Sequence, residues 1–413
     1  MKPLRVNGDR LWKSLMDMAQ VGALPKGGVC RLPLTDEDRA GRDLFVEWCK
    51  QAGCTVEIDE FGNIFARRPG RKSDAPPVVA GSHLDTQPTG GKFDGVYGVL
   101  AALEAVRTLN DRKIETDVPV EIVVWSNEES SRFSLPMLGS GVFAGVFDLE
   151  YGLSQADSAG VRFGDELRRI GYSGPMPVGE HAIGAYFEAH IEQGPILEAE
   201  GKQIGVVTSA NGQRWYELHL EGAECHAGPT PMTWRRDALY AAAQMAVDII
   251  GIAREREPHA RATVGEMRVQ PNSRSTVAGQ AFITGDLRHP DDRVLAEMDG
   301  ELRKRCGRIA DATSVNLKID DLFYFMPQAF DRECVDAVRN ATSQLGYSHM
   351  DIVSGAGHDA IYIARVAPTT MIFIPCEGGI SHNEAEYAKP EDCTAGADVL
   401  LNVVHDRAMG ILR

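Results

Sequence analysis

Residues 78–98 constrain the fold of this chain more than any other stretch. They open with the apolar run 78–80, which is typical of a buried strand, and continue through a glycine-rich loop toward a helix. His83 and Asp85 follow the run, and Asp94 comes later in the loop. A strand end that presents an imidazole, followed by a loop that presents a carboxylate, indicates a ligand site at the carboxyl edge of an α/β sheet. A surface hydrogen bond is the alternative for the His-x-Asp pair.

The sequence after this stretch predicts a parallel sheet. A helix is predicted over residues 98–109, and a β-rich run follows over 118–125. Strand, helix and strand in this order form a βαβ unit, whose two strands are parallel. The second run exits into Glu128 and Glu129. Because side chains alternate there, one carboxylate can bind a metal while the other faces a water, although a solvated turn is the alternative.

Two further histidines belong to the same pattern. His190 lies within residues 184–195 among acidic and amide side chains, which disfavours a purely apolar core position. His382 comes soon after a predicted buried strand over 369–374. A single histidine is more often structural than a ligand. Together, however, the four segments supply the nitrogen and oxygen donors that two zinc-like cations need, with one carboxylate to spare.

The middle of the chain has a different pattern of elements, and it predicts a separate domain. The order β-α-β-β-α-β indicates a ferredoxin-like module inserted at 211–322. We therefore expect an α/β fold, with a mostly parallel-sheet domain, helices on both of its faces, formed by residues 1–210 and 323–413, and an inserted α+β domain. The predicted strands of the insert are 215–220, 263–269, 281–287 and 314–319, and its predicted helices are 238–252 and 294–310.

Composition narrows the class of protein. The net charge of −16 disfavours binding to nucleic acid or to an anionic membrane by general electrostatics. No apolar run has membrane-spanning length, and residues 1–22 contain no apolar core typical of a signal peptide. The eight cysteines form no Cys-x-x-Cys pair, so reduced thiols are expected rather than a thiolate zinc site. These features predict a cytoplasmic protein.

Nine motifs, in order, give the chain a specific resemblance. It resembles the carbamoylase and allantoate amidohydrolase branch of the dinuclear zinc peptidase and amidase superfamily, which includes the hydantoinase/carbamoylase amidases. The matching segments span nearly the whole chain: GSHLDT, GGKFDGVYGVLAALE, SNEESSRF, AHIEQGP, GQRWYELHLEG, HAGPTPM, DLRHPDD, GAGHDA and SHNEAE.

The resemblance implies a centre of two divalent metal ions per subunit, bridged by Asp94. It pairs His83 with His190 on one ion and Glu129 with His382 on the other. Asp85 would hold His83 in its ligating tautomer. Glu128 would take the proton from the metal-held water and would then hand it to the leaving nitrogen. The ions could be zinc, manganese, cobalt or nickel, since the ligand types do not decide.

The resemblance also implies roles for the inserted domain, which in the family is a lid and dimerisation domain. His226 would steady the oxyanion of the tetrahedral intermediate, often across a homodimer. Arg288 would bind the substrate carboxylate through a bidentate fork, although a surface salt bridge is the alternative. Ser275 stands where the family usually has asparagine, which leaves the substrate in doubt. Further substrate contacts are implied at Gln193, Gln213, Ser275 and the backbone of Gly357.

These roles predict a metal-dependent amidohydrolase. It would cleave the carbamoyl C–N bond of N-carbamoyl-L-amino acids or of a related small ureido carboxylate. An allantoate or ureidoglycine-type amidohydrolase is the close alternative, and an aminoacylase or dipeptidase with the same metal set is a further one. A catalytically inactive, dimeric binding protein is disfavoured because every expected ligand is present.

Overall fold

The computed structural model describes residues 3–411 of the chain. Its contacts divide the chain into two compact units. The first unit consists of Met1–Thr208 and Phe330–Arg413, and the second is Ser209–Ala329. The inserted segment predicted at 211–322 lies inside the second unit, which ends later because its last long strand continues to Phe325.

Helices and strands alternate along most of the chain. The α-helices are α1 (Gly8–Met18), α2 (Asp36–Gln51), α3 (Val96–Asp111), α4 (Leu138–Phe143), α5 (Leu149–Ser154), α6 (Phe163–Ile170), α7 (Ile196–Ala199), α8 (Ala238–Arg254), α9 (Asp292–Thr313), α10 (Arg332–Leu345), α11 (Asp359–Ile363) and α12 (Pro390–Ala408). Short 3-10 helices cover Met232–Trp234 and Glu377–Gly379.

Within residues 3–411 the strands form a nine-stranded sheet, a five-stranded sheet and a two-stranded sheet. They are β1 (Thr55–Ile58), β2 (Ile64–Arg68), β3 (Val78–His83), β4 (Val120–Trp125), β5 (Ala185–Ile191), β6 (Ile204–Ala210), β7 (Gly212–Glu221), β8 (Cys225–His226), β9 (Arg261–Thr263), β10 (Met267–Gln270), β11 (Thr276–Val277), β12 (Gln280–His289), β13 (Asn316–Phe325), β14 (Gln328–Ala329), β15 (His349–Ser354) and β16 (Thr369–Ile374).

The large sheet is parallel at its centre. Its order is β1-β2-β4-β3-β5-β16-β6-β14, and β15 pairs with β6. The four central strands β4, β3, β5 and β16 run parallel to one another, whereas β2 and β6 flank them in antiparallel pairing. This confirms the predicted α/β class with a mostly parallel sheet. The carboxyl ends of all four central strands therefore meet at one edge.

The central strands are buried along their whole length, and this explains which of them the sequence predicts. Strands β3, β4 and β16 contain continuous apolar runs, which parallel strands covered on both faces require. Strand β5 was not predicted because its sequence, AYFEAHI, places Glu188 and His190 among apolar residues. Both polar side chains are fully buried, so the strand forms only because neighbouring groups satisfy them.

Helices cover this sheet in two groups. Helices α1, α3, α10 and α12 pack on one another, and α3 and α12 also contact the central strands. Helices α4 and α11 contact each other, and they reach β4, β5 and β16. Thr35 is the N-cap of α2, since its side chain accepts a hydrogen bond from the N–H of Asp38.

The second unit contains a sheet of order β10-β12-β7-β13, with β9 also paired to β12. Helices α8 and α9 pack against each other and against this sheet, around a core that includes Leu218, Met245, Ile283 and Met298. The prediction of a single strand over 263–269 is wrong. Two strands, β9 and β10, pair with different parts of β12, because residues 264–266 leave the strand between them.

None of the helices found in residues 3–411 combines the length and apolar character needed to cross a membrane.

Candidate metal centre

A cluster of imidazoles and carboxylates lies where the four parallel strands end. His83 ends β3, and Asp94 follows in the loop before α3. Glu129 follows β4, His190 lies near the end of β5, and His382 follows β16. The structure thus brings together all five predicted metal ligands at one edge of the sheet.

One group of candidate ligands, which we call the inner set, consists of His83, Asp94 and His190. Asp94 Oδ1 lies 3.2 Å from His190 Nε2 and 3.7 Å from His83 Nε2. Each imidazole Nδ1 lies 2.9 Å from a backbone carbonyl, that of Asp85 for His83 and that of Ile191 for His190. Because a carbonyl only accepts, each Nδ1 carries a proton, and each Nε2 is the ring nitrogen that faces Asp94.

The other group, which we call the outer set, consists of Asp94, Glu129 and His382. His382 Nε2 lies 3.2 Å from Glu129 Oε2 and 3.4 Å from Asp94 Oδ2. Asp94 therefore directs one oxygen toward each set. The His382 side chain is 50% exposed, whereas Asp94 and Glu129 are buried. In each set, one donor atom from every member lies within 4.8 Å of the others.

The electrostatics of the inner set are those of imidazoles around a carboxylate. Burial disfavours ionised Asp94, but His190, His83 and His382 outweigh it and hold the pKa of Asp94 well below its usual range. Burial lowers the pKa of His83 to about 4, although Asp94 opposes this shift. For His190, burial again disfavours the cation, but Asp94 outweighs it and raises the pKa to about 9. Asp94 is therefore an anion at neutral pH, and its charge stabilises positive charge in this pocket.

Glu128 lies beside the inner set without belonging to it. Its Oε2 is 3.5 Å from His83 Nε2. Burial raises the pKa of Glu128 well above its usual value, and Asp359, Glu129 and other nearby carboxylates add to the shift. A carboxylate with a raised pKa binds a proton more readily than an exposed one, which suits a group that must accept and return a proton.

Asp85 contacts both sides of the centre through different atoms. Its backbone carbonyl, not its carboxylate, receives the Nδ1 proton of His83. Its carboxylate accepts the N–H of Glu128 (3.3 Å) and that of Glu129 (3.1 Å). Asp85 therefore fixes the His83 tautomer through its main chain and fixes the Glu128–Glu129 turn through its side chain.

The two predicted substrate contacts of the first unit lie next to this centre or on its edge. Gln193 Nε2 donates a 2.7 Å hydrogen bond to Asp94 Oδ2, and the residue has a left-handed backbone with φ of 59°. Its amide oxygen is buried and has no hydrogen-bond partner among residues 3–411. Gly357 directly precedes the buried His358, whose ring lies 4.5 Å from that of His190.

The predicted contacts of the second unit form two pairs. His226 on β8 pairs with Thr276 on β11, and the N–H of Ala227 donates to the carbonyl of Ser275. Gln213 on β7 is the direct cross-strand partner of Arg288 on β12. Arg288 also forms an ion pair with Asp286 on the same strand face, with Nη2–Oδ2 at 2.9 Å.

Several polar groups that contact the candidate ligands were not predicted from the sequence. Gln87 donates to Glu129 Oε2 at 2.8 Å, and Glu386 accepts the N–H of Asp94 at 3.1 Å. A third cluster, Glu188 with His190 and His358, lies behind the inner set. Glu386 lies inside the SHNEAE motif, so its proximity to His382 in sequence was the one available signal.

The donor chemistry fits a pair of divalent cations. Neutral imidazole and carboxylate are the ligands that zinc and its neighbours prefer, and a carboxylate with one oxygen toward each set can bridge two ions. Gly95 shows how tightly this pocket is built. Its φ is 66°, and a Cβ at this position would lie 2.3 Å from the His83 ring, so glycine is required beside the bridge.

Comparisons with known proteins agree with this geometry. Residues 79–406 match peptidase family M20/M25/M40. An N-carbamoyl-L-amino-acid amidohydrolase from Rhizobium meliloti is 51% identical over 404 residues, 98% of this chain and 97% of that one. A crystal structure of a hydantoinase/carbamoylase family amidase from Burkholderia multivorans has a TM-score of 0.96 and 59% identity, covering 98% of both chains. An allantoate amidohydrolase from Bacillus subtilis is 33% identical and covers 95% of both chains.

Proposed function

The chain belongs to peptidase family M20/M25/M40, and from this premise we propose that it hydrolyses the carbamoyl C–N bond of N-carbamoyl-L-amino acids or of a related small ureido carboxylate. The observation that carries the proposal is the pair of ligand sets that share Asp94, with Glu128 beside them. A ureido substrate would yield the free amine, carbon dioxide and ammonia.

The centre would hold two divalent metal ions, and these could be ions of zinc, manganese, cobalt or nickel. When bound, such ions lower the pKa of a water and polarise the substrate carbonyl. Glu128 is the proposed general base. Its carboxylate would take the proton of the attacking water and pass it to the leaving nitrogen. The Asp85 carboxylate accepts the N–H groups of Glu128 and Glu129. These bonds keep the Glu128 carboxylate beside His83 Nε2.

Substrate recognition is proposed for the residues that the motifs assign. Arg288 would bind the substrate carboxylate, and His226 would stabilise the oxyanion. The ion pair with Asp286 holds the Arg288 guanidinium in one orientation before any substrate arrives. The remaining proposed contacts are Gln193, Gln213, Ser275 and the backbone of Gly357.

Among the possible substrates, N-carbamoyl-L-amino acids are favoured over allantoate. The relative named for the first activity shares 51% identity with this chain, whereas the relative named for the second shares 33%. Ser275 has a shorter side chain than the asparagine expected there, which leaves more room at the substrate. An aminoacylase or dipeptidase activity would use the same metal ligands and is the weaker alternative.

A homodimer formed through the second unit is proposed because that unit exposes large apolar side chains. Helix α8 exposes Tyr240 (56%) and Val247 (71%), which lie two turns apart on one face, and Trp234 is 80% exposed in the preceding segment. Exposed apolar surface of this kind marks interaction sites. Sedimentation of the wild type and of Val247→Asp is expected to show a dimer and a weakened dimer, respectively.

A cytoplasmic location is proposed from the cysteines. All eight are free thiols, and six of them are buried. Reduced thiols are typical of the cytosol.

A substrate panel tests the activity. Metal-free protein is supplied with manganese or zinc and incubated with N-carbamoyl-L-amino acids, their D-enantiomers, N-carbamoyl-β-alanine, allantoate and N-acetyl-L-amino acids. Ammonia should be released most rapidly from the N-carbamoyl-L-amino acids. Amine release from N-acetyl substrates without ammonia from carbamoyl ones would identify an aminoacylase. Metal uptake without turnover of any compound would point to a binding protein.

A further inference from the structure

Glu386 is a buried carboxylate that joins two ligand loops of the outer set. Its Oε1 accepts the backbone N–H of Phe93 (3.0 Å) and that of Asp94 (3.1 Å). Its Oε2 lies 2.9 Å from Ser381 Oγ, and the same hydroxyl lies 2.9 Å from Asp94 Oδ2. One side chain therefore contacts the loop that carries Asp94 and the loop that carries His382.

The sheet does not place these two loops next to each other. Asp94 follows β3 and His382 follows β16, but β5 lies between those strands in the sheet order. Strand pairing therefore fixes each loop relative to β5 rather than to the other loop. The bonds from Glu386 link the two loops at the level of the ligands themselves.

The surroundings of Glu386 hold it in this position. The residue is 3% exposed. A Cβ at Gly91 would lie 2.0 Å from Glu386 Oε1, so the loop approaches the carboxylate as closely as only glycine permits. On either side, the rings of Phe93 and Tyr387 pack edge-to-face at 5.9 Å, and Trp12 from α1 packs on both.

The inner set does not depend on this link to the same degree. Its two imidazoles are fixed by backbone carbonyls and lie on neighbouring strands β3 and β5. Only its third member, Asp94, contacts Glu386. Loss of the Glu386 carboxylate would therefore release two of the three outer candidate ligands, Asp94 and His382, from their positions. In the inner set it would release Asp94 alone.

We propose that Glu386 is a positioning residue that sets the distance between Asp94 and His382, and so determines the affinity of the outer set for its cation. The proposal rests on the proposed metal-dependent function. Groups that orient metal ligands typically change metal affinity about 10–100-fold when they are removed. We expect the outer dissociation constant to rise by that amount in Glu386→Ala, with the inner constant changing by about threefold at most.

The experiment measures both dissociation constants without substrate. Metal-free protein is titrated with zinc, and separately with manganese, by equilibrium dialysis with elemental analysis. Wild type, Glu386→Ala and Ser381→Ala are compared. Ser381→Ala removes the hydroxyl that contacts both Glu386 Oε2 and Asp94 Oδ2, but it keeps the bonds from Glu386 to the N–H groups of Phe93 and Asp94. It should therefore weaken only the outer site, by about 2–10-fold.

Glu104→Ala is the matched control. Glu104 is also a buried carboxylate of the first unit, and it accepts a backbone N–H, that of Asn7, as well as the guanidinium of Arg10. It contacts none of the five ligands through the hydrogen bonds found in residues 3–411. This variant should lower the melting temperature while the ratio of the outer to the inner constant stays at the wild-type value.

Three results would overturn the role of Glu386. The first is an outer constant within about twofold of wild type in Glu386→Ala. The second is a parallel loss at both sites, as a general loosening would give. The third applies if Glu386→Ala does not fold: it is an unchanged dissociation constant of the outer set in Ser381→Ala. A wild-type protein that binds no cation would instead overturn the proposed function itself, so the two failures are distinguishable.

Discussion

The inner and outer ligand sets share Asp94, yet the protein builds them from different kinds of structure. The inner histidines belong to β3 and β5, are almost completely buried, and have their Nδ1 protons held by backbone carbonyls. The outer set takes Glu129 and His382 from loops. His382 is half exposed and has a left-handed backbone, with φ of 54°.

The two sets therefore differ in how much of each site is formed before a cation binds. Strand pairing and main-chain hydrogen bonds organise the inner set in advance, because disturbing them would disturb the sheet itself. The outer set depends on side-chain contacts between loops, such as those made by Gln87 and Glu386. A site on loops that is open to water exchanges its ion more readily than a buried one. We therefore expect the outer cation to be the weaker of the two.

The largest effect is expected at the residue common to both sets. Asp94→Asn keeps the side-chain volume but removes the bridging charge, so both cations should be lost and turnover should fall to the limit of detection. Elemental analysis and ammonia release measure the two losses. Asp59→Asn, at another buried carboxylate that accepts hydrogen bonds from Asn63, should keep both metals. Retention of one cation at full affinity in Asp94→Asn would show that Asp94 serves a single set.

The next largest effect on the turnover rate is expected at Glu128, which belongs to neither ligand set. Glu128→Gln removes the proposed base without removing a ligand, so both cations should stay bound while kcat falls by about 10²–10⁴-fold. Metal content and kcat are measured on the same preparation. A rate close to that of the wild type would remove Glu128 from the proton transfer.

The histidines separate the two sets most directly. His382→Ala should lose the outer cation only, with an affinity lower by about 100-fold or more, and millimolar metal should restore part of the activity. His83→Ala should lose the inner cation and also the thermal stabilisation that metal gives the wild type. Calorimetry with and without metal compares them. Equal losses in the two variants would contradict the distinction between the sets.

The smallest effect is expected at Gln87, which donates to both the side chain and the backbone carbonyl of Glu129. Gln87→Ala should weaken the outer cation by about 2–10-fold and leave the inner one unchanged. Gln51→Ala, at an exposed position on α2, is the control. If Gln87→Ala weakened the inner cation instead, the assignment of Glu129 to the outer set would be wrong.

Among the four central strands of the large sheet, those predicted correctly have runs of consecutive apolar residues. Strands β3, β4 and β16 are of this kind, and the βαβ order around residues 78–98 predicts their parallel direction. Strand β5 was missed because local periodicity carries no information about the partners of a buried Glu188 or His190. Those partners, such as Ser82, come from other strands.

The residue types and their positions after predicted strands were enough to select the candidate ligands, since these two features decide which atoms can bind a metal. How those atoms are held became clear only from the folded chain. Asp85 acts on His83 through its carbonyl rather than its carboxylate, Gln193 donates to Asp94, and Glu386 connects two loops that the sheet keeps apart. Such contacts depend on distances between segments far apart in the chain, and the local sequence pattern does not encode those distances.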